Sequence, residues 1–536
     1  MKNVKFQNGE DKDQSSTYTN QSTPVEGGTL NLFCTNPDTL NPLLTNNIYI
    51  KEYTPLIFES LVSINRNQKP VPNLAEKWEV SDDNLKWTFY IYEDIIWQDG
   101  SPFTADDIEF TVSVIKDPYI VTPYEKNVEN IESVRIIDSR TIEFTLYSPS
   151  AFTPYMMTFP IISKNYFSGE DLFTTDKNLN PMGTGPYMFS SYQPGTSIQL
   201  VRNDNWWKAS PEREYSENLP YINEVTIKIF ESPQQEFDAF QAGAIDIIMM
   251  EKGEAAKYGM RSDLKIQKYP GNYFEYLSFN TNDTILREKG VRQAIAYALD
   301  RNKIINEIIP GEALVADLPL IPDTVFYRSN VAIFPPSKQK ARDMLIQEGW
   351  EDIDGIMHKY INGAYMPLSL ELIVNDDNDT RCRVADKIAK ELHSIGMEVE
   401  VVKLSWDEVM DRIENSTYCI AFLGCKIPAV PDISFLYSSS YYPQYSVSGI
   451  AAKNTSGYIN EEVDNYLEQV LVSRDENSMR TAYDKLTRII LDDIPYLGLY
   501  FYYDAILYNK RINGNMNPNL WNSLEKYTQW YLDAES

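Results

Sequence analysis

Acid–base chemistry can use paired carboxylates, and this sequence has adjacent acids such as Asp376–Asp377 and Asp492–Asp493. A glycan hydrolase holds two carboxyl groups at a fixed separation in one cleft, one as the acid and one as the base or nucleophile. Adjacent acids are expected by chance in a chain with 77 Asp and Glu residues, and no nucleophile-elbow or zinc motif accompanies these two pairs. Hydrolysis of extracellular glycans is therefore kept only as a remote alternative.

Metal and thiol chemistry also have little support. There are two histidines: His393 stands near the end of a helical pattern, and His358 follows the Asp354–Gly355 turn, where we expect it at the surface. The four cysteines are scattered, and none forms the CxxC spacing of zinc sites. Cys419 and Cys425 could pair, but a free buried cysteine packs as a small hydrophobe. We expect no cofactor and no metal.

The composition limits the kind of partner. A chain of 536 residues exceeds what one hydrophobic core organises, so two or three lobes with a cleft between them are expected. The formal net charge of -29 argues against a nucleic-acid partner, because phosphates require a basic face. The 37 tyrosines suit a half-wet cleft that holds amphipathic ligands. Because no stretch of about 18 apolar residues occurs, the sequence as given is not expected to span a membrane.

Hairpins are predicted in the first third of the chain. Apolar and polar residues alternate over 85–92 and over 142–146, which is typical of antiparallel strands with one buried face. Between these segments, Thr104 is a suitable N-cap for a helix that continues through Ile115.

A strand–helix–strand unit is predicted next. Residues 225–229 alternate, a helix runs from Pro233 to Gly243, and an apolar strand follows over 245–249. This order favours parallel pairing of the two strands in an α/β lobe.

A helix is then predicted from the run VRQAIAYALDRNKI (291–304), whose apolar residues form one stripe. Its charged residues Arg292, Asp300 and Arg301 are interpreted as solvated charges on a packed helix.

The runs GTGPY (183–187) and IQLVRNDNWW (198–207) are the most specific part of the sequence. Gly183 and Gly185 permit backbone angles closed to other residues, and Pro186 holds the chain extended before a strand. Together with 291–304 and with later segments, these runs resemble family 5 of the bacterial extracellular solute-binding proteins. The later segments are GYINEEVDNYL (457–467) and IPYLGLY (494–500).

The resemblance covers nearly all of 27–536 and implies a fold. That fold is α/β and periplasmic-binding-protein-like, of the large oligopeptide-binding type: two α/β lobes joined by hinge strands, with a third small β-rich subdomain. The chain is expected to pass between the lobes near Phe279–Asn280 and near Asp492–Ile494. The implied divisions are a disordered tether over 1–26, a discontinuous first lobe over 27–61, 183–279 and 493–536, the small subdomain over 62–182, and the second lobe over 280–492.

The resemblance also implies a cellular location and partner proteins. Members of this family capture a solute without chemistry and deliver it to the permease and ATPase subunits of an ABC transporter. Relatives carry a signal segment that ends in a lipid-modified cysteine, so we expect a monomer anchored by lipid at the extracellular face of the bacterial cytoplasmic membrane, or in the periplasm. Residues 1–26 are polar and lack periodicity, which is typical of a flexible tether.

Ligand contacts are expected on both sides of the cleft, since only contacts made in the closed form drive closure. Two of the expected residues have a second interpretation: Asp38 is equally typical of a turn, and Trp406 is either an aromatic platform or a core residue at a helix start. The candidate wall residues are Asn36, Asp38, Thr39, Tyr273 and Phe274 from the first lobe, and Trp406, Cys425, Lys426, Asp432, Tyr437, Tyr441 and Tyr442 from the second.

The loop over 424–436 departs from the peptide-binding members of the family. Those members often have an Asp here that pairs with the amino terminus of the peptide, and that position falls on 426–428, a cation followed by apolar residues. A buried ammonium without an anion is costly, so this anchor cannot be carried over. After a local shift, Asp432 could replace it.

The leading hypothesis is an extracellular binding subunit that holds an oligopeptide by main-chain hydrogen bonds, as an added strand. The alternative is the same role for an oligosaccharide or other non-peptide solute, which the lost anchor and the tyrosines suit.

Overall fold

The computed structural model describes residues 24–209, 217–255, 264–322, 324–327, 334–361, 363–441 and 454–533. Tyr442, one of the candidate wall residues, lies outside these ranges, as does most of the expected tether. The strands are β1 Thr29–Thr35, β2 Val62–Ile64, β3 Pro70–Pro72, β4 Ala75–Val80, β5 Lys86–Ile91, β6 Ile131–Asp138, β7 Thr141–Leu146, β8 Tyr187–Gln193, β9 Ser197–Arg202, β10 Glu224–Phe230, β11 Ile247–Met250, β12 Leu264–Phe279, β13 Ala313–Val315, β14 Glu351–Ile353, β15 Ile356–Ile361, β16 Ala364–Pro367, β17 Ser369–Asn375, β18 Glu398–Leu404, β19 Ile420–Lys426, β20 Tyr496–Asn509, β21 Ile512–Asn513 and β22 Tyr531–Leu532.

The helices concentrate in the second half of the chain, where they cover the central sheet. In the described ranges, no helix is both long enough and apolar enough to cross a membrane. The helices are α1 Ile48–Tyr53, α2 Ala105–Ile115, α3 Glu125–Val128, α4 Thr153–Met156, α5 Gln235–Gln241, α6 Lys289–Ala298, α7 Arg301–Ile308, α8 Lys338–Gln347, α9 Asp379–His393, α10 Trp406–Glu414, α11 Ser434–Tyr437, α12 Glu461–Leu471 and α13 Glu476–Asp493.

A seven-stranded sheet in the order β11-β20-β12-β19-β17-β18, with β13 also on β20, runs through the molecule. Its longest members, β12 and β20, have 16 and 14 residues and pair antiparallel from Leu264 opposite Asn509 to Ser278 opposite Tyr496. Most strands of globular proteins are about 5 to 6 residues long. The extra length lets the two strands contribute to more than one hydrophobic core.

Two large cores meet along this strand pair. The first core joins the four-stranded sheets β1-β10-β9-β8 and β4-β5-β7-β6 and includes Leu32, Phe144 and Ile506. The second core includes Phe274 and Phe501 and gathers α6 to α13 around β17 to β19. We name the parts of the chain around these cores the first lobe and the second lobe.

The contacts of β12 and β20 change from the first core to the second near 269–274 and 502–506. The passages expected from sequence lie a few residues away, near Phe279–Asn280 and Asp492–Ile494. The detailed division of the chain into lobes stays a prediction.

Several local predictions are confirmed. The alternating segments form β5 and β7, which pair antiparallel. Thr104 is the N-cap of α2, and its backbone N–H donates to the Asp107 carboxylate at 2.9 Å in a capping box. The apolar stripe of α6 is buried, and His393 is the last residue of α9.

Two predictions are wrong, one about the strand–helix–strand unit over 225–249 and one about the helical region over 291–304. The strands flanking α5 do not pair with each other: β10 lies in the sheet of the first lobe, whereas β11 pairs antiparallel with β20. Arg292 and Arg301 of the 291–304 helical region are not solvated either. Arg292 is buried and donates to the carbonyl oxygens of Leu286 and Ile494, and Arg301 forms a buried ion pair of 2.6 Å with Asp317.

A second buried ion pair lies where β12 meets β19. The Arg381 guanidinium on α9 donates from Nε to Glu275 on β12 at 2.8 Å and from Nη1 to the Asn375 side chain at 2.9 Å. A β carbon on Gly424 of β19 would come within 2.4 Å of the Arg381 Nη2 atom. Glycine is therefore required at 424, because the ion pair occupies the space of a side chain.

Candidate functional site

A cavity of about 830 Å³ lies between the segment 126–158 and the second lobe. We name it the apolar cavity, because most of its exposed lining is apolar. Cavities that hold small ligands are usually concave, mostly apolar and of this size, with a few polar groups. Its lining includes Asn127, Phe152, Tyr155 and Met156 on one wall, and Tyr276, Met410, Leu423, Val430 and Phe435 on the other.

The end of β19 supplies backbone to this cavity. Residues Leu423–Lys426 line it, and on one side they pair with β12. On the other side, within the described part of the chain, β17 pairs with β19 only at Ile420 and Ala421. Beyond Ala421, therefore, β17 does not continue alongside β19 in these ranges, and a strand edge of this kind can pair with an extended ligand.

Five of the residues predicted from sequence line this cavity together: Trp406, Cys425, Lys426, Asp432 and Tyr441. Sequence spacing alone could not bring them together, because they come from α10, β19 and the loops around α11.

Trp406 is the first residue of α10, and Ser405 caps this helix in a capping box with Glu408. This cap fixes the start of the helix, so the indole is held at the cavity while 42% of the residue stays exposed. This exposure contradicts the interpretation of Trp406 as a core residue, and its role as an aromatic platform stays a prediction.

Phe274 and Tyr437 lie elsewhere. Phe274 is 1% exposed and packs on Phe501 with ring centroids 5.0 Å apart. Tyr437 is 2% exposed and packs edge-on against Tyr496. We therefore assign both side chains to the core, which corrects the expectation that they form the ligand wall.

The early loop is also separate from the apolar cavity, whose lining includes none of Asn36, Asp38 and Thr39. The Asp38 carboxylate accepts hydrogen bonds from Thr39 N–H, Thr45 Oγ1 and Asn46 N–H. Partial burial alone would raise the pKa of Asp38, but the hydrogen bonds from Thr45, Asn46 and Thr39 lower it. The structure thus gives Asp38 the turn role that was its second interpretation.

A charged group at the junction of the lobes was missed from the sequence. Asp504 of β20 is 9% exposed and accepts a hydrogen bond from Lys252 N–H at 3.0 Å. The Lys252 ammonium lies 4.1 Å from the ring centroid of Tyr273, a predicted wall residue. Lys426 pairs with Glu251 at 3.4 Å, a weak contact because both side chains are well exposed.

Burial raises the pKa of Asp504 to about 6, and the negative charge of Glu251 acts in the same direction. The signal was visible in the sequence, since Asp504 interrupts the apolar run YLGLYFYYDAILY (496–508). A charged residue inside a buried strand is more informative than the apolar residues around it.

The cysteines are free thiols, and the adjacent acids Asp376–Asp377 and Asp492–Asp493 are not part of the lining of the apolar cavity. None of the four cysteines forms a disulfide. Cys419 directly precedes β19 and Cys425 lies near its end, six residues or about 20 Å further along, which is too far to pair. Asp492 pairs with Lys289 instead of lining the cavity. His358 is half-buried in β15, not at the surface as expected. Among the described residues, no group of three His, Cys, Asp or Glu side chains could hold a metal ion.

Comparison with known proteins gives a match for most of the chain. The family model described as bacterial extracellular solute-binding proteins, family 5 Middle, matches residues 69–446. The oligopeptide-binding protein AppA of Bacillus subtilis is 25% identical over 506 residues, which cover 92% of this chain and 90% of that protein. The heme-binding protein A of Haemophilus influenzae is 25% identical over 469 residues, which cover 82% and 81%.

Solved structures agree on the fold. The ABC transporter substrate-binding protein CtaP from Listeria monocytogenes superposes with a TM-score of 0.73 at 24% identity, over 95% of this chain and 99% of that one. The lobed α/β fold of the periplasmic-binding-protein type, expected from sequence, is confirmed.

Trp406→Ala should weaken ligand binding and leave the melting temperature of the unliganded protein nearly unchanged. The reason is that the exposed indole offers contact area to a ligand but little to the core. Thermal unfolding with and without ligand measures both effects. A loss of several degrees without ligand would contradict this account, because it would show that the indole packs in the core.

Asp504→Asn should stabilise the protein at pH 7.5 but not at pH 4. The folded protein keeps this proton up to about pH 6, whereas the unfolded chain releases it near pH 4, so the free energy of unfolding falls as the pH rises through this window. Across this pH window, the free energy of unfolding of the protein with Asp504 falls by about 3 kcal/mol in total. Urea unfolding at both pH values is the measurement, with Asp38→Asn as the control at an acid whose pKa is lowered. An equal gain at both pH values would contradict the raised pKa.

Proposed function

The chain belongs to family 5 of the bacterial extracellular solute-binding proteins, and from this premise we propose that it is the binding subunit of an ABC importer for peptides. It captures a peptide between its lobes and delivers it to the permease and ATPase subunits. Relatives named for oligopeptide and dipeptide binding support this role. No chemistry on the ligand is part of it.

The observation that carries the proposal is the edge of β19 at Leu423–Lys426. A peptide that adds to this edge is held through its main chain, so many side-chain sequences can bind. The apolar cavity beside the edge receives the side chains of the peptide, and alternate side chains of an extended strand point to opposite faces. Trp406 and Tyr441 supply aromatic area there.

In this chain the amino terminus of the peptide needs a partner other than the Asp that peptide-binding members of the family often use. The loop after β19 offers the buried apolar residue Ile427 near the position of their Asp. Asp432 lines the apolar cavity, and its Oδ1 atom accepts a hydrogen bond from Ser434 N–H at 2.8 Å. We therefore assign Asp432 as the carboxylate that faces the peptide amine.

The location that we propose for the protein is that of its family. We propose a monomer, held by a lipid anchor at the extracellular face of the cytoplasmic membrane or present in the periplasm. Support comes from the extracellular location in the family description.

An oligosaccharide is the second candidate ligand. The exposed rings of Trp406 and Tyr441 at the apolar cavity favour it, because sugars also bind on aromatic faces. The remaining polar residues of the cavity lining suit a peptide and an oligosaccharide equally.

The test is thermal unfolding of protein refolded without ligand, with mixed peptides, the same peptides N-methylated on the backbone, and cello- and xylo-oligosaccharides. A ligand at a hundred times its dissociation constant adds about 2.7 kcal/mol to the free energy of unfolding. We expect stabilisation by the mixed peptides and its loss on N-methylation, because methylation removes main-chain donors. Stabilisation by sugars alone would overturn the peptide proposal.

A further inference from the structure

The apolar cavity lies on one face of the central sheet. Leu423 and Cys425 of β19 and Tyr276 of β12 line it. Their side chains share a face, because Tyr276 pairs opposite Leu423 and alternate residues of a strand point the same way. On the other face, the buried ion pair of Glu275 and Arg381 fills the space beside β19. Only one face of a strand added to the edge of β19 therefore meets the cavity.

Three hydroxyl groups of the facing wall have already donated their hydrogen. Tyr155 Oη donates to the carbonyl oxygen of Gln68 at 3.0 Å, and Thr158 Oγ1 donates to that of Tyr155 at 3.2 Å. Thr153 Oγ1 donates to the carbonyl oxygen of Ser150 at 2.9 Å. A hydroxyl group has one hydrogen to donate, so this wall is polar in composition but offers a ligand few donors.

The charged side chains of the lining stand in water, with one exception. Lys126, Glu129 and Lys426 are exposed, whereas Asp432 is half-buried and is the residue that we assign to the peptide amine. A polar side chain that entered the cavity would lose its water and find few partners, which is unfavourable. An apolar side chain gains burial there at no such cost.

The size of the cavity limits how many side chains enter it. A sphere of 830 Å³ is about 12 Å across. Alternate side chains of an extended strand point to the same face and stand about 6.8 Å apart. Two such side chains fit in the cavity, whereas a third would lie about 14 Å from the first.

We infer that the ligand is a peptide with two large apolar side chains at alternate positions, both of which enter the apolar cavity. This inference rests on the proposed function and adds a selectivity to it. The edge of β19 holds the main chain of any peptide, and the two alternate positions decide which peptides bind tightly. The side chain between them points to the opposite face, where the cavity does not select it.

The first experiment measures the affinity of four hexapeptide pools by calorimetry on the refolded full chain. Each pool consists of serine and threonine, and in three of them Leu or Phe fills two positions: 1 and 3, 2 and 4, or the adjacent positions 2 and 3. We expect the better alternating pool to bind at least about tenfold more tightly than the adjacent pool, because only alternate side chains both reach the cavity. The two kinds of pool have the same composition, so general hydrophobicity does not separate them.

Two outcomes would overturn the inference and leave the proposed function standing. One is equal affinity of the adjacent pool and the better alternating pool. The other is equal affinity of the pool that holds only serine and threonine. If none of the four pools bound, the proposed function itself would fail.

The second experiment makes the cavity polar. Met410 of α10 lines it and is half-buried, and Met410→Gln keeps the length of the side chain but adds an amide. This change should lower the affinity of the better alternating pool at least about fivefold and that of the serine and threonine pool less than about twofold, because only apolar side chains take water from the amide without replacing its hydrogen bonds.

Met366→Gln on β16 is the matched control, since it makes the same change at an exposed residue outside the cavity lining. Should Met410→Gln fail to fold, Val430→Thr adds a hydroxyl group to the same lining with little change of shape. Unchanged affinity of the better alternating pool in a folded cavity variant, or an equal loss for both pools, would overturn the inference.

Discussion

The pairing of β12 with β20 is the contact on which both lobes depend. Within the described residues, other strands of both lobes attach to this pair: β19 pairs with β12, while β11 and β13 pair with β20. The register of the pair shifts between Pro270 and Phe274, which is also where the hydrophobic contacts change from one core to the other. A bulge bends a strand and interrupts its ladder, and proline removes a donor from it. The passage between the lobes thus coincides with the weakest part of the ladder, where bending costs least.

The buried pair of Glu275 and Arg381 connects this strand pair to the ligand edge. Because it fills the space beside Gly424, it ties α9, β12 and the end of β19 into one unit. Removing one partner of such a pair leaves an uncompensated buried charge, which typically costs about 3 to 5 kcal/mol. The edge that we assign to the peptide is therefore fixed to the rest of the second lobe. Preorganised backbone of this kind binds with little loss of its own entropy.

The sequence predicted what local patterns determine. The strands β5 and β7, the capped helix α2 and the buried stripe of α6 all follow from periodicity and capping within short segments. Contacts between distant segments were not predictable. β11 pairs with β20 across about half of the chain, and Arg292 donates to the carbonyl oxygen of Ile494, just after α13. At the site, Tyr273 and Phe274 were both predicted as wall residues of the first lobe, but adjacent residues of a strand point to opposite faces, and Phe274 packs in the core. Trp406 was predicted from the amphipathic character of Trp, and Lys426 and Asp432 from the resemblance of the loop over 424–436 to that of the peptide-binding members of the family; the structure places all three at the apolar cavity.

Amide hydrogen exchange along β19 tests the central claim most directly, because exchange reports when a backbone donor gains a partner. On addition of the mixed peptides to the refolded protein, the account predicts slower exchange for Gly424 and Lys426, whose amides point away from β12. It predicts little change for Leu423 and Cys425, whose amides face β12, and for the paired amides of β12 and β20. Slower exchange at Trp406 and the loop around Asp432 without any at Leu423–Lys426 would contradict it, since the ligand would then be held by side chains and not as a strand added to β19.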